Sequence, residues 1–310
     1  MKRRQFIKQV SIAGGGLVSL QALPYSSYAL SKNEATKITI LHTNDVHSHI
    51  EPFPINDPKY PGLGGAARRA SVIEKIRATE KNVLLLDAGD VFQGTPYFNM
   101  YGGELDFKLM SLMQYDVCTI GNHDFDNGID GLKNMLPHAN FPFVNCNYDL
   151  NNTVLKGAIL PHKIFIKDQI KIGVFGLGVE LEGLVNKQLY KETVYQNPIA
   201  TANKKASQLK NEEHCDLVIC LSHLGYEYQN NKVSDIILAQ QTANIDLIIG
   251  GHTHTFLTKP TEIKNIAKKR VIINQVGWAG IYLGRLDFYV TPNKSANYYQ
   301  SSIRVIAGKI

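Results

Sequence analysis

Five short polar clusters in this chain each follow directly on an apolar run of strand length. The run at 38–41 leads through His42, Thr43 and Asn44 to Asp45-Val46-His47, and 83–86 leads to Asp87-Ala88-Gly89-Asp90. The run at 117–120 gives way to Gly121-Asn122-His123-Asp124-Phe125-Asp126, 217–222 to His223, and 247–251 to His252-Thr253-His254. Longer stretches alternate with these runs. Residues 66–80 carry Ala67, Ala70, Ile73 and Ile76 at helical spacing, with Arg and Lys on the other side. Helices are likewise expected at 105–114, 130–136, 199–211 and 233–242, a hairpin across 156–174, and further strands at 143–145, 271–274, 282–283 and 286–290. Strands apolar at consecutive positions are buried on both faces, which predicts an α/β fold with helix-covered sheets. Open α/β sheets bind ligands beyond the carboxyl ends of their strands. The five clusters therefore have one edge on which to meet.

Composition agrees. The 310 residues fit one large domain or two small ones, and 44% hydrophobic with 19% charged residues is an ordinary globular balance. A chain of this size buries enough surface to need no disulfide staple. Cys118, Cys146, Cys215 and Cys220 form no CxxC pair, and Cys118 and Cys220 lie in apolar runs where buried thiols are expected. Of the formal charge of +6, Lys2, Arg3, Arg4 and Lys8 supply four within an acid-free residues 1–29, leaving +2 for the rest. A nucleic-acid polymer is therefore not an expected partner.

Residues 1–29 have the layout of a secretory signal: a basic start, a weakly apolar stretch at 10–23, and small residues ending at Ala29, where cleavage is expected. Arg3-Arg4-Gln5-Phe6-Ile7-Lys8 resembles the twin-arginine export signal. That resemblance implies passage of a folded, metal-loaded protein to the periplasm or the extracellular space. The polar residues 30–37 are expected to be a flexible lead-in, followed by one catalytic domain over 38–310. No membrane span is expected once the signal is removed.

The residue types narrow the chemistry. Carboxylate, imidazole and amide oxygen are donors for hard-to-borderline divalent cations, and no Cys joins them. Five of the ten histidines lie in the clusters, whereas His42, His49, His138, His162 and His214 have no such context. Singly the clusters say little, since a DxH triplet arises by chance and a lone His223 reads as a structural histidine. Gly121 and Gly251 strengthen two of them, because glycine frees the backbone for a tight turn beside a ligand. Five in this order, each at a strand end, point to bound cations.

The ordered set resembles the calcineurin-like metallophosphoesterase superfamily. Its parts are Asp45-Val46-His47, Asp90 within Gly89 to Gly94, Gly121-Asn122-His123-Asp124, the lone His223, and Gly251-His252-Thr253-His254. More narrowly, LHTNDVHSHIEPF, LDAGDVFQGTPYFN and IGNHDFDNG are similar to the 5′-nucleotidase family, over about Ile38 to Val290. The resemblance implies a four-layer αββα sandwich holding two divalent metal ions, for which Zn, Mn, Fe and Co all suit the donors. Asp45, His47 and His254 resemble the ligands of one metal, and Asn122, His223 and His252 those of the other. Asp90 resembles the carboxylate bridging both. His123 resembles the catalytic histidine, and Asp126 the group that orients it. Several relatives carry Gln or Asn where His254 stands, which bears on metal preference more than on activity. The implied reaction is hydrolysis of a phosphate ester, foremost a nucleotide, by a metal-bound hydroxide with His123 and Asp126 assisting.

In that family a second, C-terminal domain stacks the base between aromatic side chains. This chain stops at Ile310, shortly past the last strand-like run, so that nucleotide-recognition domain is expected to be absent. Either a separate polypeptide supplies it, docking on an exposed apolar or aromatic patch, or the domain alone is a broader phosphomonoesterase or phosphodiesterase. In the second case loops such as the Pro- and Gly-rich 49–65 would read the substrate. Tyr97, Phe98 and Tyr101 fall near the clusters, but ordinary core or loop packing is the plainer expectation for them. The rival readings are a metal-binding subunit inactive without its partner, and a hydrolase of sulfate or thiosulfate esters.

Overall fold

The computed structural model describes residues 35–291 and 298–307. The expected signal at 1–29 lies outside the described residues, as do residues 30–34. Numbered along the chain, the strands are β1 (Thr36–Thr43), β2 (Val83–Asp87), β3 (Val117–Cys118), β4 (Tyr148–Asp149), β5 (Lys163–Lys167), β6 (Ile170–Gly178) and β7 (Val194–Tyr195). They continue as β8 (Leu217–His223), β9 (Leu247–Gly250), β10 (Thr261–Lys264), β11 (Arg270–Asn274), β12 (Tyr282–Val290) and β13 (Tyr298–Val305). The α-helices are α1 (Ala66–Arg77), α2 (Pro96–Tyr101), α3 (Glu104–Leu112), α4 (Gly128–Met135), α5 (Lys187–Tyr190), α6 (Pro198–Ser207) and α7 (Asp235–Gln241).

Two sheets dominate, ordered β13-β12-β1-β2-β3 and β10-β11-β9-β8-β6-β5. The twofold side-chain alternation of a strand assigns their faces. Ile38 and Ile40 of β1 and Leu84 and Leu86 of β2 face the second sheet, meeting Ile172, Val174, Leu217, Ile219 and Leu247. The intervening Leu41 and Leu85 pack on Ile73 of α1 and Phe107 of α3. On the far side Val218, Cys220 and Ile248 meet Ala202 of α6 and Leu238 of α7. The result is helix, sheet, sheet, helix, the four-layer sandwich expected. A one-residue slip of β1 would turn Ile38 and Ile40 away from the inter-sheet core, and each such burial stabilises by about 1.5–3 kcal/mol.

β1, β2 and β3 run parallel in the first sheet and β11, β9, β8 and β6 in the second, so within each set the carboxyl ends align. Thr43 lies opposite Asp87, Asp87 opposite Cys118, and Ser222 opposite Gly250. The β5–β6 hairpin turns at Asp168 and Gln169, both at positive φ, as a tight two-residue hairpin turn requires.

Several boundaries differ from expectation. β1 starts at Thr36, so Thr36 and Lys37 are not part of a flexible lead-in but pair with Val290 and Tyr289. The run at 117–120 is a strand only over Val117–Cys118, and 143–145 forms single bridges, Phe143 to Cys118 and Val144 to Leu160. The two late runs fuse into β12, and β13 extends the first sheet beyond the expected last strand. All four cysteines are free, with Cys146 half-buried and the others buried. No helix among the described residues is long and apolar enough to cross a membrane.

Candidate metal centre

The loops that follow β1, β2 and β9 have backbone in an uncommon shape. Asp45, His47, Asp90, His252 and His254 all have φ between 50° and 71°. Left-handed backbone costs a non-glycine residue about 1–2 kcal/mol, and it persists only where the surroundings over-determine it. Those surroundings are visible. Asp45, His47 and Ser48 donate backbone N–H bonds to the carbonyls of Gly89, Asp90 and Val91, locking the loop after β1 to the loop after β2. The buried Asp124 carboxylate accepts from the amides of Asp90, Val91, Phe92 and Gly121, tying in the loop after β3. Gln275 does the same for the loop after β9, donating to the Gly251 carbonyl at 2.7 Å and accepting from Thr253 Oγ1. Asn44 donates to Asp45 Oδ2 at 2.6 Å.

The strain gathers two groups of donors. One holds Asp45, His47 and His254, the other Asp90, His223 and His252, and within each the potential ligand atoms lie within 4.8 Å of one another. His254 Nε2 is 3.4 Å from Asp45 Oδ1 and 3.0 Å from His47 Nε2. Asp90 Oδ2 reaches into both groups, 3.0 Å from His223 Nε2 and 3.8 Å from His47 Nε2. Asn122 is buried beside them, next to His123, whose backbone N–H donates to Asp90 Oδ1 at 2.8 Å.

Whether these residues suit divalent cations is answered by their unsatisfied atoms and their protonation. Asn122 Oδ1 and His223 Nε2 are buried with no hydrogen-bond partner, the close approach of His223 to Asp90 lacking the alignment of a bond. Buried polar atoms are rarely left so without an ion or water to meet them. The Nδ1 atoms of His47 and His223 lie 3.0 and 2.7 Å from the carbonyls of Phe92 and Ala88. Donation there points each Nε2 at the centre, that of His47 with its lone pair free and that of His223 with a proton that a bound cation would displace. Burial holds His47 below the ordinary histidine range and pushes His252 down to about 4, so both are neutral and able to ligate near pH 7. For Asp90 and His223 burial works against charge, but each stabilises the other. Asp90 is held well below the usual carboxylate range, and His223 is pushed up to about 10. Such a carboxylate pocket calls for positive charge beside it. The donor set fits a pair of divalent cations.

His123 stands at the open side, its side chain 39% exposed and its ring 5.3 Å edge-on from His47. Its Nδ1 lies 2.8 Å from Asp126 Oδ2, and this bond, against a smaller loss from burial, raises its pKa. Among the histidines outside the clusters, His42 is fully buried, accepts from Asn274 Nδ2 at 2.9 Å, and is pushed down to about 3 by burial. Phe98 packs on Phe92, whereas Tyr97 lines an apolar groove of about 610 Å³ with His49, Phe53 and Met100. Sequence reading places Asp124 inside a motif without giving it a role and passes over Gln275, because buried carboxylate and amide clasps of backbone groups leave no spacing signature.

Gly121 is required by close approach. A Cβ there would fall 2.1 Å from Asp90 Oδ1 and 2.6 Å from its amide nitrogen. Gly121→Ala is expected to push Asp90 aside, lowering stability by about 1–3 kcal/mol and weakening metal binding. Thermal unfolding with and without added metal checks this, the variant losing most of any stabilisation that metal confers.

The fold and these paired donors define a dinuclear-type phosphoesterase scaffold. The calcineurin-like phosphoesterase profile matches residues 38–256, and the chain belongs to that family. Its relatives include 5′-nucleotidases: it is 38% identical over 229 residues to snake venom 5′-nucleotidase of Naja atra, covering 71% of this chain and 42% of that one. It is 34% identical over 232 residues to the 5′-nucleotidase of Homo sapiens, covering 72% and 39%. The crystal structure of a 5′-nucleotidase precursor from Thermus thermophilus superposes with a TM-score of 0.80 at 31% identity, covering 87% of this chain and 54% of that one. The chain thus spans about two fifths of the length of these two curated relatives.

Proposed function

We propose that this protein is an exported, metal-dependent phosphoesterase whose substrates are nucleotides. The observation that carries the reading is the meeting of two three-donor groups at Asp90, with the His123–Asp126 pair at their open side. Asp45, His47 and His254 would hold one cation, Asn122, His223 and His252 the other, and Asp90 both. Bound there, the cations supply neutralisation of the phosphoryl charge and a lowered pKa for water. Zn, Mn, Fe or Co all suit these donors.

The protein's own groups do the rest. Asp126 accepts the His123 Nδ1 proton, which fixes the ring and turns Nε2 toward the substrate side. From there the imidazolium hands a proton to the leaving alkoxide. The strained loops keep the donors from relaxing away, so little reorganisation is left to the reaction. The 5′-nucleotidase relatives support the nucleotide class. Because they are more than twice as long as the matched region, base recognition is proposed to fall to a further domain. Export rests on residues 1–29 and their twin-arginine pattern.

The test is turnover of p-nitrophenyl phosphate and AMP by the purified protein after chelation and after reconstitution with Mn or Zn. Activity is expected to vanish with the chelator and return with metal. Absence of turnover on any phosphate ester after reconstitution, with two metals bound, would instead favour a subunit needing its partner.

A further inference from the structure

We infer that Trp278 is the positioning residue for His254, a role that rests on the two-cation reading above. The imidazoles of the centre are held differently. His47 and His223 are anchored through Nδ1 to backbone carbonyls, but His254 makes no such bond. Its ring instead lies flat on the Trp278 indole, with centroids 5.6 Å apart and planes within 2° of parallel. An imidazole lone pair lies in the ring plane, so a wall that fixes the plane limits where Nε2 can point. The His254 side chain is 40% exposed, and the other ring it meets among the described residues, that of His47, is inclined at 64° with centroids 5.0 Å apart and so does not lie along its face.

The wall is itself held. Gly277 and Ala279, on either side of Trp278, are bonded to the loop after β1: the Gly277 carbonyl accepts from Asn44 Nδ2 at 2.6 Å, and the Ala279 amide donates to the Asp45 carbonyl at 2.8 Å. Rings from the 49–65 loop close on the indole, His49 edge-on at 5.0 Å, Phe53 at 5.9 Å and Tyr60 at 6.2 Å. This long loop, whose role the sequence leaves open, thus has a physical task. It buttresses Trp278, and Trp278 aims one ligand of the Asp45 group while stacking on none of the Asp90 group's rings. Trp278 is also the chain's one tryptophan, so all of the tryptophan emission comes from the indole stacked on His254.

The experiment titrates chelator-stripped protein with Zn²⁺ against a competing chromophoric chelator, following tryptophan fluorescence in parallel. The wild type is expected to take up two equivalents and to change its emission with one of them. Trp278→Ala is expected to weaken one equivalent 10–100-fold, the usual effect of losing a ligand's support, and to leave the other unchanged. Trp278→Phe, which keeps a ring against His254, is expected to restore most of the affinity. His254→Ala, with the indole intact, is expected to bind the same equivalent weakly and to lose the emission change. Wild-type affinity at both sites in W278A, equal weakening of both sites in W278A and W278F, or an unaltered emission response in H254A would each overturn the inference. Should W278A not fold, W278F and H254A decide it by the same criteria. A wild type that binds no metal overturns the two-cation reading itself.

Discussion

Exchanging Asp90 for Asn is expected to lower kcat by about 10³-fold, equivalent to about 4 kcal/mol of transition-state stabilisation. Asp90 reaches into both donor groups, with Oδ2 3.0 Å from His223 Nε2 and 3.8 Å from His47 Nε2, nearer to His223 than Asp45 Oδ1 at 3.9 Å. Asn keeps the shape but removes the negative charge that two neighbouring cations would share. Metal analysis of the purified variant is expected to fall from two ions per chain toward one. Retention of both ions with near wild-type turnover would show that Asp90 serves only to hold the His123 loop through its backbone bond.

His123→Asn is expected to cut kcat by about 10²–10⁴-fold while both metals stay bound, because general acid catalysis contributes on that scale. The loss should depend on the leaving group. An alkoxide such as that of AMP needs a proton, whereas p-nitrophenolate departs without one, so the variant is expected to be much the more damaged on AMP. Equal losses on both substrates would assign His123 to phosphate binding instead. Asp126 sets the pH dependence. Its hydrogen bond raises the pKa of His123, so the protonated ring survives to higher pH and acid catalysis is lost as pH rises through that raised value. Asp126→Asn removes the cause and is expected to move the alkaline limb of kcat toward lower pH, read from a rate profile between about pH 5 and 10.

Much of this centre was legible in order of residues. The apolar runs that became β1, β2, β8 and β9 are buried along their length, and buried parallel strands need no polar face, so their hydrophobicity is continuous and easy to read. β10 and β13 were missed for the opposite reason. They sit at sheet edges, where one neighbour is missing and polar residues such as Glu262, Gln300 and Ser301 are tolerated. The short α2 and α5 carry too few turns to show a helical period. Trp278 could not be placed at all, since nothing in Val276 to Ile281 hints that this turn returns to Asp45.

Residue order alone settled which donors are available and that each would emerge at a strand's carboxyl end, because both follow from side-chain chemistry and local hydrophobic period. Which donors share a cation was a matter of packing. His47 and His254 stand 207 residues apart, in loops from different sheets, yet their Nε2 atoms come within 3.0 Å. That meeting depends on the inter-sheet core, on loop-to-loop hydrogen bonds, and on left-handed backbone at five donors that no local preference would select. Local sequence carries local energies. The centre exists because many distant contacts together outweigh them.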